Sequence, residues 1–277
     1  MLLMWKLLAT TLLLSSLVHA SVSGKDVEKF IKNSFKNNPN ILSIELTTEH
    51  SMKLKKPKGW SAFIVKADAV LKKDKRKVNQ KMIWFSNGEV ITQDLLDMDT
   101  GKSLKDLVSP EFKSEYYKDS NLIYGDKNAK HKVVIFSDPL CPFCRNFVPK
   151  AINEMKEKPE TFAVYYFHFP LPSLHPAAVE LVKAAKALEL RGTHKDVVLK
   201  LYQVKIDAKE RNVEKILKAF NSTMKSNIKP ADLNSVAVQK HLKDDLDRAS
   251  SMMVQGTPTM FFDGKIDKQK NKYKTAK

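Results

Sequence analysis

Val133-Val134-Ile135-Phe136-Ser137-Asp138-Pro139-Leu140-Cys141-Pro142-Phe143-Cys144 holds the chain's only two cysteines, separated by two residues and set directly after an apolar run. Val133 to Phe136 are consecutive β-branched or large apolar residues and read as a buried strand, while Phe143, Phe147, Ala151 and Met155 recur at helical spacing. The cysteines therefore fall at a strand-to-helix junction. Thiol–disulfide exchange requires a thiolate, and a helix N-terminus stabilises an anion through its free N–H groups and dipole, lowering a cysteine pKa from about 8.5 to roughly 3.5–7.5. Cys141, at the head of the turn, is the expected nucleophile. Cys144, one helical turn later, is within reach to resolve a mixed disulfide formed at Cys141. Pro142 and Phe143 tune the motif by removing a donor and adding an apolar wall.

Other uses of such a pair fit less well. A structural zinc site needs four ligands, and the sequence has no second CxxC or closely spaced His pair, so no metal is expected. A purely structural disulfide across so short a loop would gain little, since the entropic benefit grows with loop length. No cofactor-binding signature is present, and none is expected.

Residues 1–20 carry Lys6, an apolar run from Leu7 to Val18, and Val18-His19-Ala20 before Ser21, which reads as a secretory signal peptide cleaved after Ala20. The run is short for the roughly 20 residues of a spanning helix. Its removal would leave 257 residues with 47 Lys and Arg against 31 Asp and Glu. Export places the lone CxxC outside the cytosol, where disulfides persist. The lysines are spread along the chain without aromatic interleaving, which argues for general solvation and against nucleic acid as a partner.

In chain order, Val27, Phe30, Ile31 and Phe35 give a short amphipathic helix stopped by Asn37-Asn38-Pro39-Asn40. Ile41–Thr47, Trp60–Val70 and Lys81–Phe85 read as strands. Asn87-Gly88 before Val90-Ile91-Thr92 predicts a hairpin with positive φ at both turn positions. Residues 21–108 thus form a small helix-plus-antiparallel-sheet domain with no catalytic signature, and exposed strand edges invite a second copy. Ser109-Pro110 to Tyr117 predicts a connecting helix within a linker, 109–130. The remainder, 131–277, begins with the cysteine segment. It continues with a strand at Phe162–Phe169, a helical insertion at about 175–251 interrupted near Gly192, Asp207 and Pro230, and a strand after Gly256-Thr257-Pro258-Thr259. Asp263-Gly264 follows as a turn, and Lys265–Lys277 reads as a solvated, partly disordered end. His168 reads as a packing residue and His175 as a helix N-terminal residue. Asp138 fits either a turn or a proton-transfer role.

The combination of strand, Cys141-Pro142-Phe143-Cys144, helix, helical insertion and Thr257-Pro258 resembles the periplasmic thioredoxin-fold Dsb proteins, the DsbC/DsbG-type disulfide isomerases above all. Phe169–Ala178 is similar to a segment of DsbA-like oxidoreductases. The resemblance implies an α+β chain: an N-terminal dimerisation domain, a linker helix, and a thioredoxin-fold domain with a helical insertion. It implies Cys141 as attacking and Cys144 as resolving cysteine, with Thr257-Pro258 forming a substrate-binding loop whose proline is cis. It implies a homodimer that isomerises or reduces wrong disulfides in unfolded or misoxidised exported proteins and is kept reduced by a DsbD-type membrane reductase. The alternatives are a DsbA-like oxidase served by a DsbB-type partner, or a holdase chaperone with a secondary redox site.

Overall fold

The computed structural model describes residues 22–192 and 196–277. The expected signal peptide, residues 1–20, lies outside them. The described residues fall into two compact units, one within Met1–Lys77 and Met82–Ser103 and the other comprising Val78–Lys81 and Leu104–Lys277.

In the first unit, helix α1 (Gly24–Phe35) opens with a capping box: the Ser23 hydroxyl accepts from the Asp26 N–H, and the Asp26 carboxylate accepts from the Ser23 N–H. Val27 and Ile31, on one helical face, pack with Phe63 and Val65 of the sheet. That sheet comprises β1 (Ile41–Lys53), β2 (Ser61–Leu71), β3 (Lys77–Ser86) and β4 (Ile91–Thr92), in the order β1-β2-β3-β4. The helix and strands are those expected, extended at their ends. The Asn87-Gly88 turn differs in detail. Gly88 takes a positive φ and Asn87 does not, because the Asn87 side chain accepts from the Glu89 and Val90 N–H groups and so starts the turn instead of forming its centre.

The second unit is built on a sheet of order β5-β7-β6-β8-β9, from β5 (Leu122–Tyr124), β6 (His131–Ser137), β7 (Phe162–His168), β8 (Thr259–Phe262) and β9 (Lys265–Ile266). β6 runs parallel to β7 and antiparallel to β8. The continuous apolar run of β6 is explained by burial on both faces. Val133 and Ile135 join α2 (Pro142–Lys156), whereas Val134 and Phe136 join the aromatic layer of Phe112, Tyr165 and Phe167. Between β7 and β8 the described residues form α3 (Pro176–Leu190), α4 (Val197–Leu201), α5 (Val213–Met224) and α6 (Val236–Ser251), broken where the sequence predicts breaks. Most of these helices bury their apolar faces in a core of their own, centred on Leu181, Leu201, Ile216 and Phe220.

Three expectations change. Ser109–Tyr117 forms no α-helix; a 3-10 turn at Ser114–Tyr116 stands there, because Pro110 holds the preceding residue extended and Phe112 is drawn into the aromatic core, its N–H donating to the Gly264 carbonyl. The stretch read as linker also supplies β5, which pairs with β7. The lysine-rich end is ordered, with Tyr273 of α7 (Lys272–Thr275) buried in the α2 side of the core.

Candidate active site

β6 ends at Ser137, which is fully buried, and the chain must then turn into α2 across Asp138-Pro139-Leu140. Asp138 supplies the turn. Its Oδ1 accepts from the Leu140 N–H at 2.7 Å, and its Oδ2 accepts from the Leu171 N–H at 2.8 Å and lies 2.9 Å from His175 Nδ1. A fully buried carboxylate is held only where donors surround it, and here three converge. From the helix side, Arg145 Nε donates to the Pro139 carbonyl at 2.8 Å and its terminal nitrogen to the Val204 carbonyl at 2.6 Å. Both ends of the turn are thereby pinned to the helical insertion.

This turn makes Cys141 the N-cap of α2, with extended backbone and a carbonyl that accepts the Arg145 N–H at 2.9 Å. Pro142 occupies the first helical turn, where its missing N–H costs no intrahelical bond. The Cys141 sulfur donates to the Thr257 carbonyl at 3.7 Å. The register of β8 against β6, with Phe136 opposite Thr259, brings the Thr257-Pro258 loop beside the cysteines, and that peptide is cis. Cys144, a turn into the helix, is completely buried, and burial pushes its thiol up to about 11. Contacts with the Ser137 and Thr257 hydroxyls and the Asp138 backbone oppose the shift without cancelling it, and the Thr257 Oγ1 makes no hydrogen bond of ordinary geometry. Cys144 is therefore a neutral thiol near pH 7. The two sulfurs are unequally placed: that of Cys141, the N-cap residue, faces a carbonyl, and the other is kept protonated in a dry core.

The structure thus gathers Cys141, Cys144, Thr257 and Pro258 at one place. Phe143 faces outward, 77% exposed, as an apolar ring beside the motif. His168 is a packing residue, buried, with its ring 5.0 Å from that of Tyr166, and burial holds its pKa well below the usual value. His175 caps α3 and also contacts Asp138, a pairing across 37 positions that no local pattern announces. Sequence reasoning also passed over Arg145, Ser137, Tyr166 and Tyr202. Among the described residues no group of three His, Cys, Asp or Glu side chains is placed to hold a metal ion.

The thioredoxin family profile matches residues 118–277, more than half of the chain. This chain belongs to the thioredoxin family. The Dsb resemblance carried by the CPFC and Thr-Pro pairing is borne out at that level. A Na(+)/H(+) antiporter NhaA 1 from Mycolicibacterium gilvum is 27% identical over 144 residues, which are 52% of this chain and 23% of that protein. The chain thus spans about a quarter of the length of the curated relatives it matches. Among solved structures, the catalytic domain of ScsC from Proteus mirabilis is 27% identical, with a TM-score of 0.44, over 55% of this chain and 82% of that one. BdbD from Bacillus subtilis is 18% identical, with a TM-score of 0.46, over 60% and 91% respectively. Among the described residues of this thioredoxin-family chain, no helix is long and apolar enough to cross a membrane.

Proposed function

We propose that this thioredoxin-family chain is a periplasmic thiol–disulfide oxidoreductase that isomerises or reduces incorrect disulfides in exported proteins. The observation that carries the reading is the pairing of a helix-capping Cys141, its sulfur 3.7 Å from the Thr257 carbonyl, with a fully buried Cys144 one turn behind. The Cys141 thiolate attacks a substrate disulfide, breaking that S–S bond, releasing one substrate sulfur as a thiolate and leaving a mixed disulfide on Cys141. The freed substrate thiol then attacks back, giving isomerisation, or Cys144 attacks, giving net reduction. Phe143, with its exposed ring, offers an apolar contact to an unfolded client.

Export rests on the reading of residues 1–20. A protein that starts each cycle as a dithiol in an oxidising compartment needs an electron donor, and the resemblance supplies a DsbD-type membrane reductase. The first unit serves as a dimerisation domain, so that two catalytic units share one client.

Reactivation of a scrambled-disulfide model protein tests the reading. The reduced chain restores activity, Cys141→Ser abolishes this, and Cys144→Ser accumulates mixed disulfides. If the reduced chain restores nothing while its oxidised form rapidly oxidises a reduced substrate, the DsbA-like oxidase alternative replaces it. Protection of clients from aggregation that survives Cys141→Ser, with no exchange at all, leaves the holdase.

A further inference from the structure

The loop that joins β2 to β3 reads Lys72-Lys73-Asp74-Lys75-Arg76-Lys77, five cations in six residues, all of them exposed. The whole chain has 48 Lys and Arg in 277 residues, so the loop concentrates charge well beyond the average. The strand register shows what joins it. Ile41 pairs with Leu71, the Leu71 N–H donates to the Arg76 carbonyl and the Lys72 N–H to the Asn40 carbonyl, so the loop closes over the start of β1. The chain reaches β1 from the end of α1, where Lys32 stands in the last turn and Lys36 is the C-cap residue. Two stretches of sequence thus bring cations to one end of the first unit. Little neutralises them. Asp74 Oδ2 lies 3.6 Å from Arg76 Nε, and its Oδ1 accepts from the Arg76 N–H at 3.1 Å. Further along the hairpin, Glu45 and Asp68 stand opposite one another, and Asp68 is held by Lys66 at 2.8 Å. Among the described residues, Lys32, Lys36, Lys72, Lys73, Lys75 and Lys77 form no ion pair. Like charges held together repel, and a surface of opposite charge relieves that repulsion as it binds.

Three features select the kind of anion. The tip is built of lysine, a hydrated point charge, while Arg76, whose guanidinium fork could grip one phosphate bidentately, is turned toward Asp74. No aromatic residue lies within 36–42 or 70–77, so the tip offers no platform on which a base could stack. Leu42 is the extra residue of a bulge between the Ile41–Leu71 and Ser43–Val70 pairs, and the bulge leaves its side chain half exposed beside the cations. An apolar side chain flanked by lysines fits the surface of a bilayer, where the charges meet lipid phosphates and the apolar group enters the boundary of the acyl chains. We propose that the β2–β3 tip of the first unit docks this chain on the anionic headgroups of a phospholipid bilayer. A lysine close to such a surface raises partitioning about fivefold, whereas a charge more than about 10 Å away is largely screened at 0.1 M salt. The gathering of cations at the tip, and not their sum over the chain, therefore sets the affinity.

The test is co-sedimentation with vesicles of phosphatidylcholine and phosphatidylglycerol in equal parts, at about 0.1 M sodium chloride. The chain is used without residues 1–20, so that their apolar run does not itself bind lipid. It is expected to sediment with these vesicles, to be released at about 1 M salt, and to ignore vesicles of phosphatidylcholine alone. Lys72→Gln, Lys73→Gln, Lys75→Gln and Lys77→Gln together lower partitioning about a hundredfold or more, and Lys32→Gln with Lys36→Gln about tenfold. Lys127→Gln, Lys205→Gln, Lys209→Gln and Lys218→Gln, at four exposed positions of the second unit, remove the same charge as the first set and lower it less than about threefold. Equal losses in the two fourfold variants overturn the proposal, since net charge alone would then act. So does equal binding to neutral vesicles, or binding to neither. Transfer of the chain from vesicles to a single-stranded oligonucleotide at equal phosphate concentration overturns it in favour of nucleic acid. None of these readouts involves Cys141 or Cys144, so either result leaves the thiol-exchange reading where it stands.

Discussion

Asp138 and Cys144 are both fully buried acids six residues apart in sequence, and their surroundings treat them in opposite ways. The carboxyl of Asp138 receives two backbone N–H groups and faces the His175 ring, so its removal leaves donors stranded in the interior. Asp138→Ala should lower stability by about 2–5 kcal/mol, with Asp138→Asn intermediate because one amide oxygen can still accept. Urea unfolding of the reduced protein measures this, and an Asp138→Ala chain as stable as its parent would refute it. Cys144 instead meets mainly apolar neighbours, so its thiol titrates at about 11. A raised acid stays neutral below its pKa, so at pH 7 about one molecule in ten thousand carries the Cys144 thiolate. Mass-resolved alkylation at pH 7 should therefore leave Cys144 unmodified in Cys141→Ser, with labelling that climbs towards pH 11; fast labelling at neutral pH would contradict the burial argument. The cysteines themselves were legible because their meaning lies in a spacing of three. The partners of Asp138 were not, since Leu171 and His175 arrive from 33 and 37 positions away.

At the scale of elements, the strand-to-helix junction and the β8 strand read directly from apolar runs and turn residues. At Ser109–Tyr117 and at the C-terminal end a long-range contact overrides local preference, whereas at Asn87 a local side-chain turn does so. The two-residue turn with positive φ at both positions, expected at Asn87-Gly88, stands instead at Asp263-Gly264, where the φ values are 47° and 81° and β8 turns into β9. The join of α6 to β7 carries a consequence for pH that periodicity conceals. Asp245 of α6 accepts from the Asn121 amide and the His168 N–H, and burial raises its carboxyl to about 7. His241, one turn earlier, is lowered by burial to about 4, and His168 is lowered as well. A carboxyl raised in the fold stabilises at low pH and loses that contribution as pH climbs from about 4 to 7. A histidine lowered in the fold stabilises above about 6.5 and loses that contribution as pH falls towards 4. The two histidines lower stability as pH drops from 6.5 to 4, and the carboxyl opposes that fall. His241→Gln should flatten that fall by on the order of 2 kcal/mol, as read from urea unfolding at pH 7 and 4.5. An unchanged slope would mean that His241 is not held neutral by the fold.

For the whole molecule, the proposed dimer sets apolar burial against charge. The first unit leaves Phe30, Leu42, Val90, Leu96 and Met98 exposed, with Met98 98% accessible, and among the described residues β1 is a long edge strand paired on one side only. Unpaired edges and apolar side chains of this kind favour association with a second copy. Each copy, however, carries a formal net charge of +17, or +16 once residues 1–20 are removed, so two copies repel one another over the distance that salt leaves unscreened. That distance is about 10 Å at 0.1 M ionic strength and about 3 Å at 1 M. Raising the salt should therefore remove the opposing term and leave the apolar term in place. Sedimentation equilibrium is expected to give a dimer whose dissociation constant falls as sodium chloride is raised from 50 to 500 mM. An association held by ion pairs would move the other way, and a chain that stays monomeric at both salts would remove the shared-client geometry while leaving the chemistry of Cys141 and Cys144 untouched.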